Sequence, residues 1–121
     1  MPDHPYTFTL FNNEPTTRTF GAGEVIFAQG DEGDSMYALL EGEVEIVRNG
    51  SVVERVPRGG VFGAMALLEK QPRAASAIAR TESRLAVISE KRFMSIVSQN
   101  PPFALSMMRL LSMRIRHDKS S

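Results

Sequence analysis

The 121-residue chain contains no cysteine, which excludes disulfides, thiolate zinc sites and cysteine nucleophiles. No segment approaches 18 consecutive apolar residues, so the sequence offers no candidate for a membrane-spanning helix. Residues 1–13 lack the basic start and apolar run of a secretory signal. The length is that of one domain with a single core. Together these absences predict a cytoplasmic protein.

Histidine is also scarce, because His4 and His117 lie at opposite ends of the chain and are the only two. A metalloenzyme built on a β-roll needs a closely spaced histidine pair and a further ligand on its strands. A Ser–His–Asp triad needs a histidine inside the domain. Neither set can be assembled, so the sequence predicts a binding module with no catalytic residues, no metal and no resident cofactor.

The net charge of zero hides an uneven distribution. Residues 1–64 hold ten acids and four bases, whereas residues 65–121 hold four acids and ten bases. A basic half suits an anionic ligand, a nucleic acid or an acidic partner. Ordinary solvated charges also segregate in this way, so the charge pattern alone does not select a function.

Glycine is confined to one part of the chain, between Gly21 and Gly63. Glycines spaced every few residues are typical of tight turns between short strands. Apolar patterning predicts strands over 24–27, 36–40, 43–47, 51–56, 74–79 and 84–89. Asn49-Gly50 joins two of these strands and predicts a type I′ hairpin. The pattern predicts a mainly β fold, an antiparallel β-roll of jelly-roll type with flanking C-terminal helices.

Two helices are predicted at the C-terminal end. Ser89 is a cap for the first, with Glu90 in its first turn, and Asn100-Pro101 starts the second. The second helix is apolar nearly all round. One of its faces holds Phe103, Met107 and Leu110, and another holds Leu105, Met108, Ser112 and Ile115 at near-heptad spacing. The latter face predicts a homodimer through the last helix, with a monomer as the alternative.

The predicted organisation is therefore an N-terminal arm over 1–16 with at most one short turn, a β-roll over 17–89, and C-terminal helices over 90–121.

The most distinctive motif is residues 62–76, which read FGAMALLEKQPRAAS. An arginine fork binds an oxyanion such as a phosphate or a carboxylate bidentately and keeps its charge when buried. The first N–H groups of a short helix also attract an anion. Arg73 and residues 64–68 would supply these two elements. Small residues would leave room for a ligand against the main chain: Gly63, Ala66, Ala74 and Ala75.

This run resembles the phosphate-binding cassette of the cyclic-nucleotide-binding domain family, which includes the catabolite activator protein and the regulatory subunits of cyclic-AMP-dependent kinase. The resemblance covers roughly Thr17 to His117, including the strand motifs around Gly23-Glu24 and Leu40-Glu41-Gly42 and the helix after Asn100-Pro101. It implies a ligand between the cassette and the roll, with its phosphate held by Arg73 and cassette amides. The implied ligand contacts are Gly63, Ala64, Met65, Ala66, Arg73, Ala74, Ala75 and Ser76, with Ile46 and Val53 as walls for the base.

The chain departs from the family pattern at Ala64, where the family usually has the glutamate that holds the ribose 2′-hydroxyl. A hydrogen bond to a charged group contributes roughly 1.5–3 kcal/mol, so we expect binding about 10- to 150-fold weaker, not lost. Ser76 stands where a family hydroxyl contacts the guanine amino group, which would permit cyclic GMP. Cyclic AMP is the ligand expected ahead of cyclic GMP.

The resemblance also implies a stand-alone domain, because the chain stops soon after the last helix and has no counterpart of the family's DNA-binding helix-turn-helix. No direct DNA binding and no membrane partner are expected. The resulting hypothesis is a sensor whose liganded state shifts the C-terminal helices, which an effector protein of unknown identity reads. The alternative is an interaction module of the same fold that has lost ligand binding, with Ala64 as a sign of that loss. The presence of Arg73 favours the sensor, since a buried arginine without an anion is costly.

Overall fold

The computed structural model describes residues 7–120, with side chains as far as Arg114. Its elements in chain order are β1 (Thr17–Phe20), β2 (Val25–Phe27), β3 (Ser35–Glu41), β4 (Val44–Arg48), β5 (Ser51–Val56), β6 (Val61–Phe62), α1 (Ala64–Glu69), β7 (Ser76–Ala79), β8 (Ser83–Ser89), α2 (Glu90–Gln99) and α3 (Pro101–Ser120). The chain divides into two compact units between Glu90 and Lys91. The predicted β-roll followed by C-terminal helices is confirmed.

The strands form two four-stranded antiparallel sheets, in the orders β1-β8-β3-β6 and β2-β7-β4-β5. Apolar side chains from both sheets meet in one core, where burial of apolar area is the main stabilising term. Its buried members are Phe20, Ile26, Tyr37, Leu39, Val44, Val56, Phe62, Ala77, Ala79 and Leu85. Because β6 leads directly from this core into α1, the start of the cassette is anchored in the roll.

The β4–β5 hairpin turns at Asn49-Gly50, as predicted. Both residues have positive φ, 52° and 83°, as a type I′ turn requires. Beside the turn the pairing is regular, with Arg48 opposite Ser51. If this register continued along the hairpin, each residue of β5 would lie on the same face of the sheet as the residue of β4 directly opposite it.

A one-residue shift interrupts that register. A regular hairpin would pair Ile46 with Val53 and Glu45 with Glu54. Instead Glu54 lies opposite Ile46, and Arg55 lies opposite Glu45, so Val53 is the extra residue of a β-bulge. The shift separates two carboxylates that would otherwise face each other, and it places Arg55 Nε 3.3 Å from the Glu45 carboxylate. Opposite charges across a strand pair stabilise the sheet and like charges destabilise it.

Two strands are absent from the sequence prediction, and one predicted strand starts too early. β1 is mostly exposed and buries only Phe20, and β6 has two residues, so neither shows an alternating pattern. The strand predicted from Ala74 starts at Ser76. The residues before it do not join the sheet, because the Arg73 backbone is bonded at both N–H and C=O to the loop after β2.

The unit that begins at Lys91 contains nearly all of α2 and all of α3, and both helices start where the sequence predicts. Asn100 Oδ1 accepts a hydrogen bond from the Phe103 N–H, at 3.3 Å, which caps α3. The predicted inner face of α3 is buried at Phe103, Met107 and Leu110. On the other predicted face Leu105 is 48% exposed and Met108 65% exposed, and the Ile115 side chain lies outside the described residues.

The segment predicted as an N-terminal arm is described from Thr7 onward and contains one turn over residues 10–13. Phe11 is fully buried, and the Phe8 N–H donates to the Gly59 carbonyl at 2.8 Å.

Within residues 7–120 no helix is both long and apolar enough to cross a membrane. The same part of the chain holds no group of three acidic, histidine or cysteine side chains placed to bind a metal ion.

Candidate functional site

The cassette begins at the junction of β6 and α1, where Gly63 adopts the left-handed backbone conformation, with φ of 80°. A Cβ at this position would lie 2.8 Å from Arg73 Nη1, so glycine meets both the backbone and the space requirement. The short helix predicted over 64–68 is confirmed as α1. No described side chain caps its first turn, which leaves its N-terminal N–H groups available to an anion.

Arg73 lies beside this junction and is 5% exposed. Its Nη1 donates to the Gly63 carbonyl at 2.8 Å, and its Nη2 donates to the Ser35 carbonyl at 2.7 Å. The guanidinium carbon stands 4.1 Å from the centre of the Phe27 ring and 5.8 Å from that of Tyr37. A cation over an aromatic face gains electrostatic attraction. The arginine is therefore held in one place by neutral groups.

The charge of Arg73 is only weakly compensated. Two of its five N–H donors are bonded to carbonyls, and its buried Nε has no hydrogen-bond partner. Burial lowers the pKa of Arg73, while the charges of Tyr37, Asp34 and Asp31 raise it. Neither aspartate is within ion-pair distance of the guanidinium among the described residues. A monoanionic ligand would supply the missing counter-charge.

The loop between β2 and β3 encloses Arg73 from another side. The Arg73 N–H donates to the Asp31 carbonyl at 2.7 Å, and the Gly30 N–H donates to the Arg73 carbonyl at 2.8 Å. A Cβ at Gly33 would collide with the guanidinium Nε, so glycine at position 33 provides the space that the guanidinium occupies. The loop therefore fixes the backbone of Arg73 by hydrogen bonds and its side chain by close packing.

The other predicted ligand contacts of the cassette lie before and after Arg73 in the sequence, and their side chains differ in exposure to solvent. Ala64 and Ala66 are buried, Met65, Ala75 and Ser76 are half-buried, and Ala74 is exposed. The Ser76 hydroxyl oxygen accepts a hydrogen bond from the Gln29 N–H at 2.8 Å. Its own hydrogen can still be donated, since a hydroxyl is both donor and acceptor. These residues stay predicted ligand contacts.

The two predicted base-wall residues lie on neighbouring strands of the second sheet. Ile46 is half-buried and packs against the core, whereas Val53 is half-buried at the bulge. Glu54, and not Val53, is the residue opposite Ile46. A regular hairpin register from the turn at Asn49-Gly50 would place Glu54 on the outer face opposite Glu45, and nothing in the sequence of residues 51–56 signals the extra residue. Both base-wall assignments stay predictions.

Sequence reasoning also missed the groups that hold Arg73, namely Phe27, Gly33 and Ser35. The close spacing of Gly30 and Gly33 signals a tight loop, but it does not indicate which side chain the loop will enclose. Ser35 acts through its backbone carbonyl, a group that every residue has, so its sequence identity carries no signal. Phe27 belongs to an apolar strand pattern that gives no sign of a cation contact. Its partner Arg73 is 46 positions further along the chain.

A cleft of about 450 Å³ borders the same loop, but Arg73 does not line it. Its walls are Glu32, Gly33, Asp34, Ala66, Leu67, Lys70, Gln71, Pro72 and Glu90. Lys70 and Glu90 form an ion pair across it at 3.4 Å. Carboxylates predominate among its charged groups, so the cleft does not suit an anionic ligand. Of the two regions beside this loop, the Arg73 side is the one with a charge that suits an anion.

Comparison with known proteins identifies the family of this chain. A model of the cyclic nucleotide-binding domain family matches residues 17–100. The cAMP-dependent protein kinase regulatory subunit of Aspergillus niger is 41% identical over 76 residues, which are 61% of this chain and 18% of that protein. The corresponding subunit of Emericella nidulans is 40% identical over 91 residues, 74% of this chain and 22% of that protein.

This chain thus spans about a fifth of the length of these two relatives. The crystal structure of the catabolite activator protein of Thermus thermophilus superimposes with a TM-score of 0.79 at 28% identity, covering 86% of this chain and 51% of that one. The family match covers more than half of the chain and includes both Arg73 and the loop that encloses it. This chain belongs to the cyclic nucleotide-binding domain family.

Proposed function

We propose that this domain is a cyclic-nucleotide sensor that binds cyclic AMP in preference to cyclic GMP and holds the phosphate with Arg73 and the cassette N–H groups. The observation that carries the proposal is the buried guanidinium, whose hydrogen-bond acceptors are two neutral carbonyls. A buried cation without a counter-charge destabilises a fold. A cyclic phosphodiester supplies one negative charge and oxygen acceptors, which is the complement that Arg73 lacks.

The rest of the ligand would follow from the cassette sequence. Gly63, Ala64, Met65 and Ala66 would bring the start of α1 to the phosphate, and Ala74, Ala75 and Ser76 would line the opposite side. Ile46 and Val53 would contact the base. The preference for cyclic AMP is supported by the relatives named as cAMP-dependent kinase regulatory subunits, and Ser76 would allow some binding of cyclic GMP.

Ligand binding would act outward through the C-terminal helices, by favouring one of their positions over another. An effector protein would read this change. Direct DNA binding and catalysis are not part of the proposal, since the cassette offers a cation and backbone donors but no acid–base pair. A cytoplasmic location stays a prediction.

The sensor hypothesis is tested by thermal unfolding with cyclic AMP and with 5′-AMP. A ligand that binds only the folded state raises the melting temperature. We expect a concentration-dependent rise with cyclic AMP and a much smaller one with 5′-AMP, which has the same base and sugar but an open dianionic phosphate. No rise with cyclic AMP at millimolar concentration would contradict the sensor and favour the interaction module without ligand.

We also propose a homodimer formed through α3. Leu105 and Met108 are large apolar side chains with roughly half or more of their surface exposed, at a spacing that brings them to one face of the helix. We expect Met108→Glu or Leu105→Glu to convert a dimer into a monomer in sedimentation velocity. Met94→Glu, at a site on α2 whose exposure of 57% lies between those of Leu105 and Met108, is the matched control and should leave the dimer intact. A wild-type protein that sediments as a monomer at high concentration contradicts the dimer.

A further inference from the structure

A row of directly opposed residues crosses the second sheet. Phe27 of β2 lies opposite Ala77 of β7, Ala77 opposite Ile46 of β4, and Ile46 opposite Glu54 of β5. Opposed residues on neighbouring strands share one face of a sheet. Ala77 is fully buried, and Phe27 and Ile46 pack against the core. The row therefore lies on the core-facing side, and Glu54 ends it with a carboxylate.

The two ends of this row carry opposite charges. At the Phe27 end the Arg73 guanidinium carbon is 4.1 Å from the ring centre. Glu54 lies three strand spacings from Phe27, roughly 14 Å at about 4.8 Å each. That span is comparable to a mononucleotide measured from its phosphate to the far edge of its base. Small and apolar residues, Ala77 and Ile46, separate the two charged ends.

The inward direction of Glu54 is a product of the β-bulge. Without the extra residue Val53, Glu54 would face outward beside Glu45; with it, Glu54 shares a face with Val56, which is 2% exposed. Bulges re-aim side chains and are frequent next to functional sites. Glu54 already interacts within the protein, and the remaining acceptor positions of its carboxylate make it a candidate for polar recognition of a ligand.

We propose that Glu54 reads the base of the bound nucleotide by accepting a hydrogen bond from the 6-amino group of adenine. This inference rests on the proposed function, since it places the phosphate at Arg73. Hypoxanthine and guanine carry an oxygen at the same ring position, which would set an acceptor against the carboxylate. A carboxylate has about four acceptor positions, so a partner within the protein still leaves capacity for a ligand donor.

The test compares the affinities of cyclic AMP, cyclic IMP and cyclic GMP, measured by calorimetry, for wild type and for Glu54→Leu. In cyclic IMP an oxygen replaces the 6-amino group of cyclic AMP, and the adjacent N1 carries a hydrogen. We expect wild type to prefer cyclic AMP over cyclic IMP by about tenfold or more, as for a hydrogen bond to a charged group. Glu54→Leu should bring the two affinities within about twofold of each other.

Glu54→Gln provides a second variant with the original shape. Its amide can donate to the 6-oxygen as well as accept, so we expect it to raise the affinity for cyclic IMP. Glu43→Gln, at an exposed carboxylate that directly precedes β4, is the control and should keep the wild-type preference. An unchanged ratio in both Glu54 variants, or a wild type that prefers cyclic IMP or cyclic GMP, overturns the assignment. Absence of binding by all three ligands would instead overturn the proposed function.

Discussion

Replacing Arg73 by alanine is expected to abolish measurable binding of cyclic AMP, with an affinity loss of about a hundredfold or more. Each charge-assisted hydrogen bond contributes roughly 1.5–3 kcal/mol, and the arginine fork can make two to one phosphate. The protein should remain folded, because the side chain it loses is a buried cation with an unpartnered Nε. Calorimetric titration measures the affinity, and circular dichroism on heating checks the fold.

Two further variants show whether charge or geometry is responsible. Arg73→Lys keeps the charge but loses the planar fork, so we expect intermediate binding. Arg84→Ala removes a partly exposed arginine that pairs with Glu41 on the neighbouring strand of the first sheet, and this variant should bind like wild type. Unchanged affinity in Arg73→Ala would mean that the ligand is held elsewhere in the chain.

Ala64→Glu is expected to tighten cyclic AMP binding by about tenfold or more. The new carboxylate would accept a hydrogen bond from the ribose 2′-hydroxyl, so the gain should disappear with 2′-deoxy cyclic AMP. Ala64 is 1% exposed and directly follows Gly63, whose carbonyl accepts from Arg73. A glutamate there would also have a cation close by, which offsets the cost of burying its charge.

Leu68→Glu adds the same charge on the exposed side of α1 and is the matched control, expected to leave binding unchanged. If Glu69 already reaches the sugar in wild type, the added carboxylate would repel the phosphate and weaken binding. An affinity of Ala64→Glu equal to or below that of wild type, for both the ribose and the deoxyribose ligand, would contradict a sugar contact at position 64.

The parts of the site that could be predicted from the sequence depend on local patterns. The left-handed glycine at 63, the short helix after it and the type I′ turn at Asn49-Gly50 follow from the conformations that these residues accept. The start of α3 follows from Asn100 and Pro101, because capping acts within one turn. In each case the determining groups lie within a few positions of one another.

The environment of Arg73 could not be predicted in the same way. Its acceptors are the backbone carbonyls of Gly63 and Ser35, and its ring partner is Phe27. These groups come from three separate segments, and their meeting depends on how the β2–β3 loop folds over the cassette. The order of residue types along the chain does not indicate which backbone carbonyls remain free to accept a hydrogen bond from the Arg73 side chain.

The register of β5 is the other feature that alternation alone misses. Over residues 51–56 the pattern is compatible with a regular hairpin, which would put Val53 on the inner face. Two registers compete, one with Glu54 opposite Glu45 and one with Arg55 opposite Glu45. The second replaces a like-charge pair by an ion pair, an effect that appears only when the two strands are paired. One residue of slip exchanges the two faces of a strand, and it brings Glu54 inward.

Calorimetric titration of the wild-type domain with cyclic AMP, and separately with cyclic GMP, tests the central claim most directly. The proposed sensor predicts saturable binding of one cyclic AMP per chain, weaker saturable binding of cyclic GMP, and no comparable heat with 5′-AMP. No heat from either cyclic nucleotide at millimolar concentration, from a protein that melts cooperatively, would contradict the claim that the buried Arg73 is a phosphate clamp.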